Sequence, residues 1–159
     1  NLTFSDHAVQ KGIAALKSGC DIVTDTQMAK AGINKTILAS LGGEVHCFMS
    51  DSDVAQEAKS RGVTRAFVSM EKAAALEKPC IFAIGNAPTA LLSLEQLMEE
   101  GKATPALIIG VPVGFVNVEM CKELIIEKAR APYIVARGRK GGSNVAAAVC
   151  NALLYQIRR

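Results

Sequence analysis

The chain has 159 residues, of which 50% are hydrophobic and 21% are charged, and this composition excludes a disordered chain and suits one domain over residues 1–159. The formal net charge is only +3, and no stretch is dense in both basic and aromatic residues, so nucleic acid is not an expected partner. The longest apolar stretch, residues 105–118, is shorter than the roughly 18 residues that span a bilayer, so we expect no membrane association.

Apolar segments that suit strands alternate along the chain with segments that have the spacing of amphipathic helices. The predicted helices cover residues 6–18, 25–31, 51–60, 64–76, 87–100, 118–129 and 142–157. Asp25 is predicted to cap the second of these helices. The predicted strands cover residues 21–24, 44–49, 79–84, 105–109 and 132–136. Because helices separate the strands, the pattern predicts an α/β fold, a three-layer α/β/α arrangement with a mainly parallel five-stranded sheet.

The cysteines and histidines give no sign of a metal or redox site. No cysteine lies in a Cys-x-x-Cys pair, and their odd number argues against a disulfide framework. We interpret them as reduced thiols of a cytoplasmic protein. His7 is expected to be exposed in a first helical turn and His46 to pack within a strand, so neither is favoured as a catalytic base. The cysteines are Cys20, Cys47, Cys80, Cys121 and Cys150.

Three strands end in turns that are rich in small residues: IGNAPTAL at 84–91, IGVPVGFV at 109–116 and RGRKGGS at 137–143. In open parallel sheets, ligands bind outside the carboxyl ends of the strands, and glycine lets backbone approach a ligand closely. Tight turns need Gly and Pro in any case, which accounts for any one of these turns. It accounts less well for the polar residues that gather at the same edge, which are Asn86, Thr89, Arg137, Arg139 and Ser143. The sequence therefore predicts a ligand site at this edge.

Charge patterning allows two interpretations of the C-terminal part of the chain. From Lys122 onward there are eight basic and two acidic residues, which indicates either a solvated surface or an end that receives an anionic ligand. The glycines at 138, 141 and 142 match neither GxGxxG nor GxxxxGKS, and no serine lies in GxSxG. A nucleotide-binding domain is therefore a weaker hypothesis.

Five ordered segments resemble those of the precorrin-8X methylmutase family. They are GCDIVTDTQMAKAGI at 19–33, GVTRAF at 62–67, IGNAPTAL at 84–91, PALIIGVPVGFV at 105–116 and GRKGGSNVAAAVCNAL at 138–153. The resemblance implies a cofactor-free isomerase of corrin synthesis that moves a methyl group from C-11 to C-12 of precorrin-8X or cobalt-precorrin-8. The products are hydrogenobyrinate and cobyrinate. It also implies a homodimer with its sites near the interface.

The resemblance further implies which residues contact the corrinoid. Arg65 matches the family's substrate-contacting arginine, and Thr64 precedes it. Asn34 stands where some members carry threonine, which puts that contact in doubt. A flat ring fringed with carboxylates needs a broad slot with cations and N–H donors at its rim. The expected lining and rim residues are Asn86, Thr89, Gly114, Arg137, Arg139 and Ser143.

The family's catalytic histidine is expected to lie upstream of Asn1, so the resemblance implies no catalytic residue and no metal ligand within this chain. Three explanations are open. The chain is a trimmed form of a normal enzyme, which we favour; or the upstream segment is a separate chain; or the protein is a non-catalytic relative that binds corrinoids or other tetrapyrroles.

Overall fold

In the computed structural model, which describes residues 1–158, the chain forms a six-stranded sheet with the order β1-β6-β5-β4-β2-β3. The strands are β1 (Leu2–Phe4), β2 (Asp21–Thr24), β3 (Val45–His46), β4 (Cys80–Ile84), β5 (Leu107–Gly110) and β6 (Tyr133–Ala136). Five strands are mutually parallel, and β1 is antiparallel to β6, with Thr3 opposite Val135. The α/β prediction is confirmed, and the predicted strand number is one too few. The missed strand has only three residues, which is too short for an alternating pattern to be recognised.

Eight helices within residues 1–158 cover the two faces of the sheet. They are α1 (Ala8–Lys17), α2 (Gln27–Gly32), α3 (Lys35–Ser40), α4 (Ser52–Arg61), α5 (Arg65–Ala74), α6 (Pro88–Glu99), α7 (Val118–Lys128) and α8 (Ser143–Ile157). Neighbouring residues of one strand point to opposite faces. Ile81 and Ala83 of β4 pack in the core with α1, α2, α3 and α8, whereas Phe82 and Ile84 pack in the core with α5, α6 and α7. This double-sided burial gives the predicted three layers.

Two local predictions are wrong. The helix predicted to begin at Asp25 is capped by Thr26, whose Oγ1 accepts a hydrogen bond from the backbone N–H of Ala29 (3.0 Å), because the Asp25 carboxylate is bonded elsewhere. The strand predicted for 44–49 is limited to Val45–His46, because Phe48 turns away to pack against α4. No helix within residues 1–158 is long and apolar enough to cross a membrane.

Candidate functional site

The loops that follow β2 and β4 are joined by a buried carboxylate. Asp25 is 1% exposed, and its Oδ1 accepts a hydrogen bond from the backbone N–H of Gly85 (2.8 Å). Its Oδ2 accepts from the N–H groups of Asn86 (2.9 Å) and Ala87 (2.6 Å). Burial raises the pKa of the Asp25 carboxyl, and the three bonds from backbone N–H groups act in the opposite direction. Asp25 thus fixes the backbone of the IGNAPT turn, and with it the position of Asn86.

Close backbone approaches join the remaining loops of this edge. A Cβ atom on Gly85 would lie 2.7 Å from the carbonyl oxygen of Gly142, and one on Gly141 would lie 2.0 Å from the carbonyl oxygen of Val111. The N–H of Gly142 donates to that same Val111 oxygen (2.9 Å). Glycine is therefore required at positions 85 and 141 because the neighbouring backbone occupies the space of a side chain.

Ser143 lies in the first turn of α8, but it does not cap its own helix. Its Oγ is 2.8 Å from Oγ1 of Thr26, and either hydroxyl can be the donor. The N-cap residue of α8 is Gly142, which has φ of 132° and no side chain that could accept a hydrogen bond from the helix. Ser143 therefore connects the turn before α8 to the turn before α2, and the four loops after β2, β4, β5 and β6 form one continuous edge.

Thr64, Arg65 and Thr89 lie together beside the IGNAPT turn. Thr64 Oγ1 accepts a hydrogen bond from the backbone N–H of Phe67 (3.1 Å), which caps α5, and it is 3.2 Å from Oγ1 of Thr89 in α6. Arg65 is exposed at the start of α5, beside a shallow groove that Lys59 and neighbouring residues of α4 help to form. Among residues 1–158, Arg65 has no hydrogen-bonding or ion-pair partner for its guanidinium. It is therefore available to an anionic ligand.

The RGRK turn after β6 is cationic and is held by α7. Nε of Arg137 is 3.2 Å from a carboxylate oxygen of Glu123, and Nε of Arg139 is 3.7 Å from one of Glu119. The Arg139 guanidinium also lies 5.4 Å from the ring centre of Phe115, an exposed residue that follows Gly114. These arginine side chains are half-exposed, so each can leave its glutamate for a ligand carboxylate at small cost.

Lys122 of α7 is a residue that the sequence interpretation missed. It is fully buried, and its Nζ donates hydrogen bonds to the carbonyl oxygens of Gly138 (2.8 Å) and Lys140 (2.9 Å). The sequence does mark this lysine as unusual, because Lys122 falls on the face of α7 where the spacing of Cys121 and Ile125 predicts an apolar residue. A lysine on a buried helical face needs a polar partner.

Asn34 lies away from the other predicted residues. Its Oδ1 accepts a hydrogen bond from the backbone N–H of Ile37 (3.0 Å) and so caps α3. Its own backbone N–H donates to Oδ1 of Asn151 (2.8 Å), which lies roughly two turns along α8 from Ser143. The described contacts of Asn34 are structural, and they explain why an asparagine suits this position.

At the opposite, amino end of β2, Asp21 forms a buried ion-pair cluster. Its Oδ2 is 2.8 Å from Nε2 of His46, and its Oδ1 is 3.0 Å from Nζ of Lys78 and accepts a hydrogen bond from the backbone N–H of Glu44 (3.0 Å). The Asp21, Glu44 and His46 side chains are close enough to hold a metal ion, but Lys78 already supplies a cation there. Burial acts to raise the pKa of Asp21, and the bonds from His46, Lys78 and Glu44 outweigh it, so the pKa lies below its ordinary value.

Asp21→Asn is expected to lower the free energy of unfolding at pH 7 by about 1–3 kcal/mol, because it removes a charge that three donors satisfy. A carboxyl whose folded pKa is lowered stabilises the fold above its ordinary pKa of 3.8, and this contribution is lost as the pH falls through the folded value. The difference from the wild type in urea unfolding should therefore shrink below pH 4. Asp6→Asn, at an exposed carboxylate outside this cluster, serves as the control, and equal losses in the two variants would contradict the role of Asp21.

The five cysteines are free and buried. Burial raises the pKa of the Cys20 and Cys150 thiols to about 12 and that of Cys80 to about 11. Thiols with such pKa values carry almost no thiolate near neutral pH, which disfavours a nucleophilic role for these three.

The fold and the edge define a three-layer α/β protein whose strand-to-helix loops form one continuous edge with exposed arginines. Comparison with known proteins gives the family. The family model described as Precorrin-8X methylmutase matches residues 1–156, and the chain belongs to this family. The resemblance noted in the sequence is thereby confirmed.

Named relatives and solved structures agree with this assignment. The chain is 48% identical to the cobalt-precorrin-8 methylmutase of Priestia megaterium, over 96% of this chain and 68% of that protein. It is 46% identical to the cobalt-precorrin-8 methylmutase of Salmonella typhimurium, over 99% of this chain and 73% of that protein. The crystal structure of precorrin-8X methylmutase from Thermus thermophilus superimposes with a TM-score of 0.84 at 38% identity, over 97% of this chain and 75% of that one.

Proposed function

We propose that the protein is an isomerase of cobalamin biosynthesis that moves a methyl group from C-11 to C-12 of precorrin-8X or cobalt-precorrin-8. The family match over residues 1–156 is the observation that carries the proposal. The reaction breaks one carbon–carbon bond and forms another within the same molecule, so substrate and product have the same composition. No external oxidant, reductant or group donor is needed, and we propose that the protein works without a cofactor.

The proposed substrate is a flat ring with carboxylates around its rim, and the carboxyl edge of the sheet offers groups that suit both parts. A Cβ atom on Gly114 or Gly138 would meet nothing within 4 Å, so a ring can lie close to the backbone at these two positions. Arg65 has a free guanidinium, and a charge-assisted pair with a carboxylate is the strongest polar contact available at an exposed site. We propose that Arg65 binds one rim carboxylate and that Arg137 and Arg139 bind others.

The neutral polar residues are proposed to orient the ring. Thr64 and Thr89 already share a hydrogen bond, so one hydroxyl has a free lone pair or proton for the ligand. Asn86 is exposed on a backbone that Asp25 fixes, and Gly114 lies in the loop on the far side of the edge. The Ser143 hydroxyl, which is hydrogen-bonded to Thr26, supports the turn that precedes α8. We propose these as substrate-binding residues.

Arg65→Ala is expected to weaken binding of the product hydrogenobyrinate by about 10- to 100-fold, because a hydrogen bond to a charged group contributes roughly 1.5–3 kcal/mol. The free energy of unfolding should stay within about 0.5 kcal/mol of the wild type, since the side chain is exposed. Arg61→Ala is the matched control, because Arg61 is also exposed but pairs with Glu57 and Glu71. Unchanged affinity of Arg65→Ala in an absorption titration would remove Arg65 from the site.

The catalytic proposal is tested by supplying precorrin-8X to the protein expressed from its complete gene and following the visible spectrum. Conversion to the hydrogenobyrinate spectrum is the expected result. A folded protein that binds hydrogenobyrinate but never converts precorrin-8X would contradict the isomerase activity. The same assay with the cobalt-bearing substrate establishes which of the two is turned over.

We further propose that the protein is a cytoplasmic homodimer. Phe115 and Val116 are 83% and 80% exposed and stand beside the candidate site, where a second copy of the chain would cover them. Light scattering coupled to size-exclusion chromatography should give twice the mass of one chain. A Phe115→Ser, Val116→Ser variant should shift that mass toward one chain, and a wild-type mass of one chain at all concentrations would contradict the dimer.

A further inference from the structure

The buried amine of Lys122 has an unusual set of partners. Nζ donates hydrogen bonds to the main-chain carbonyls of Gly138 and Lys140 in the RGRK turn, and within residues 1–158 no carboxylate is bonded to it. Burial lowers the pKa of the Lys122 amine, and the charge of Glu119, one turn earlier in α7, acts in the opposite direction. A buried ammonium is costly unless it is hydrogen-bonded, so the turn must keep both carbonyls directed at Nζ for the fold to tolerate the charge.

This constraint determines which groups of the turn face outward. The carbonyls of Gly138 and Lys140 point inward to Lys122, while the side chains of Arg137, Arg139 and Lys140 are exposed. Gly138 has φ of 85°, a left-handed conformation that lets the chain reverse at this point. The side chains of the turn therefore form a cationic surface, and the buried positive charge of Lys122 lies beneath it.

The other contacts between α7 and the turn are weaker. Glu119 and Glu123, four residues apart on α7, pair with Arg139 and Arg137, but these ion pairs are half-exposed. Exposed ion pairs contribute little to stability, whereas hydrogen bonds from a buried charged donor contribute more. A ligand carboxylate can replace either glutamate, but it cannot replace Lys122. The hydrogen bonds of the Lys122 amine are therefore the contacts between α7 and the turn that remain when a ligand binds.

We propose that Lys122 is a positioning residue that holds the RGRK turn, residues 137–140, in the conformation that receives the carboxylates of an anionic ligand. Its buried charge also adds to the positive potential that those carboxylates meet. The ligand part of this inference rests on the proposed function, whereas the effect on the turn does not.

The test compares Lys122→Met with Lys128→Met. Both substitutions replace a lysine of α7 by a side chain of similar length and remove one positive charge, but Lys128 is exposed in the last turn of the helix. Hydrogen exchange of the amides of residues 137–142 is measured relative to those of β4 and β5. Lys122→Met is expected to accelerate exchange of the turn by at least about tenfold, since two charge-assisted bonds are lost, whereas Lys128→Met leaves it unchanged.

Binding gives the second readout. Lys122→Met is expected to weaken hydrogenobyrinate binding by about tenfold or more and to reduce the dependence of the affinity on salt concentration. Lys122→Arg, which retains a cationic donor, should recover most of the affinity and of the protection of the turn, and Lys122→Gln should recover less. These two variants also serve as the test if Lys122→Met does not fold.

The outcomes separate the two proposals. Wild-type protein that fails to bind hydrogenobyrinate would contradict the proposed function, while accelerated exchange confined to residues 137–142 would still support the role of Lys122 in the turn. Exchange of the turn in Lys122→Met that matches the wild type, or that rises only in proportion to β4 and β5, would overturn the inference. Affinity within twofold of the wild type would overturn its ligand part.

Discussion

Asp25→Asn is expected to lower the free energy of unfolding by about 3 kcal/mol and to weaken hydrogenobyrinate binding at the same time. The carboxylate accepts three backbone hydrogen bonds through both of its oxygens, from Gly85, Asn86 and Ala87. An asparagine has one oxygen, so its NH₂ group must face at least one N–H donor in a buried site. The IGNAPT turn then has to move, and the polar residues that it carries move with it.

The measurement for Asp25→Asn is urea unfolding followed by circular dichroism, together with the absorption titration. Asp6→Asn is the matched control, because Asp6 is an exposed carboxylate and its replacement should change the stability by less than about 0.5 kcal/mol. If Asp25→Asn is as stable as the control and binds as the wild type does, then the carboxylate does not organise this edge.

Gly141→Ala is expected to cost about 3 kcal/mol or more, because the added Cβ would lie 2.0 Å from the carbonyl oxygen of Val111. Both partners are backbone, so no flexible side chain can swing aside. Relief requires the turn after β6 to separate from the loop after β5, which breaks the hydrogen bond from the N–H of Gly142 to Val111. The arginines of the turn would be displaced with it, and ligand affinity should fall.

Gly138→Ala distinguishes this steric clash from a general effect of glycine replacement in the same turn. Its Cβ would meet nothing within 4 Å, but its φ of 85° is unfavourable for alanine, so a loss of about 1 kcal/mol is expected. The two variants are compared by urea unfolding. Equal losses at the two positions would show that the close approach of Gly141 to Val111 is not what holds the loops together.

The fold class could be predicted from the sequence because the helices have amphipathic spacing and most strands are short apolar runs, with tight-turn residues between them. Residues 79–84 and 105–109, predicted as strands, correspond to β4 and β5, which are buried on both faces. The edges of the sheet were not predictable in the same way. β1 and β3 have only three and two residues, and their pairing is decided by neighbours distant in the chain.

The turns that meet at the carboxyl edge of the sheet could be predicted from the sequence, but the contacts that join them could not. The small-residue turns and the arginines are visible in the local composition, and the carboxyl ends of parallel strands meet at one edge. The roles of Asp25 and Lys122 depend on backbone groups that lie about 60 and 16 residues away, respectively. A carboxylate before a helix is typical of a cap, and only the folded chain shows that Thr26 does the capping. Long-range backbone hydrogen bonds leave no local pattern.

The central claim is that the loops after β2, β4, β5 and β6 form a corrinoid-binding edge, and a visible absorption titration of this chain with hydrogenobyrinate tests it most directly. We predict a saturable spectral change in the wild type that is weakened in Arg65→Ala and is little affected in Arg61→Ala. The absence of any saturable change would contradict the claim.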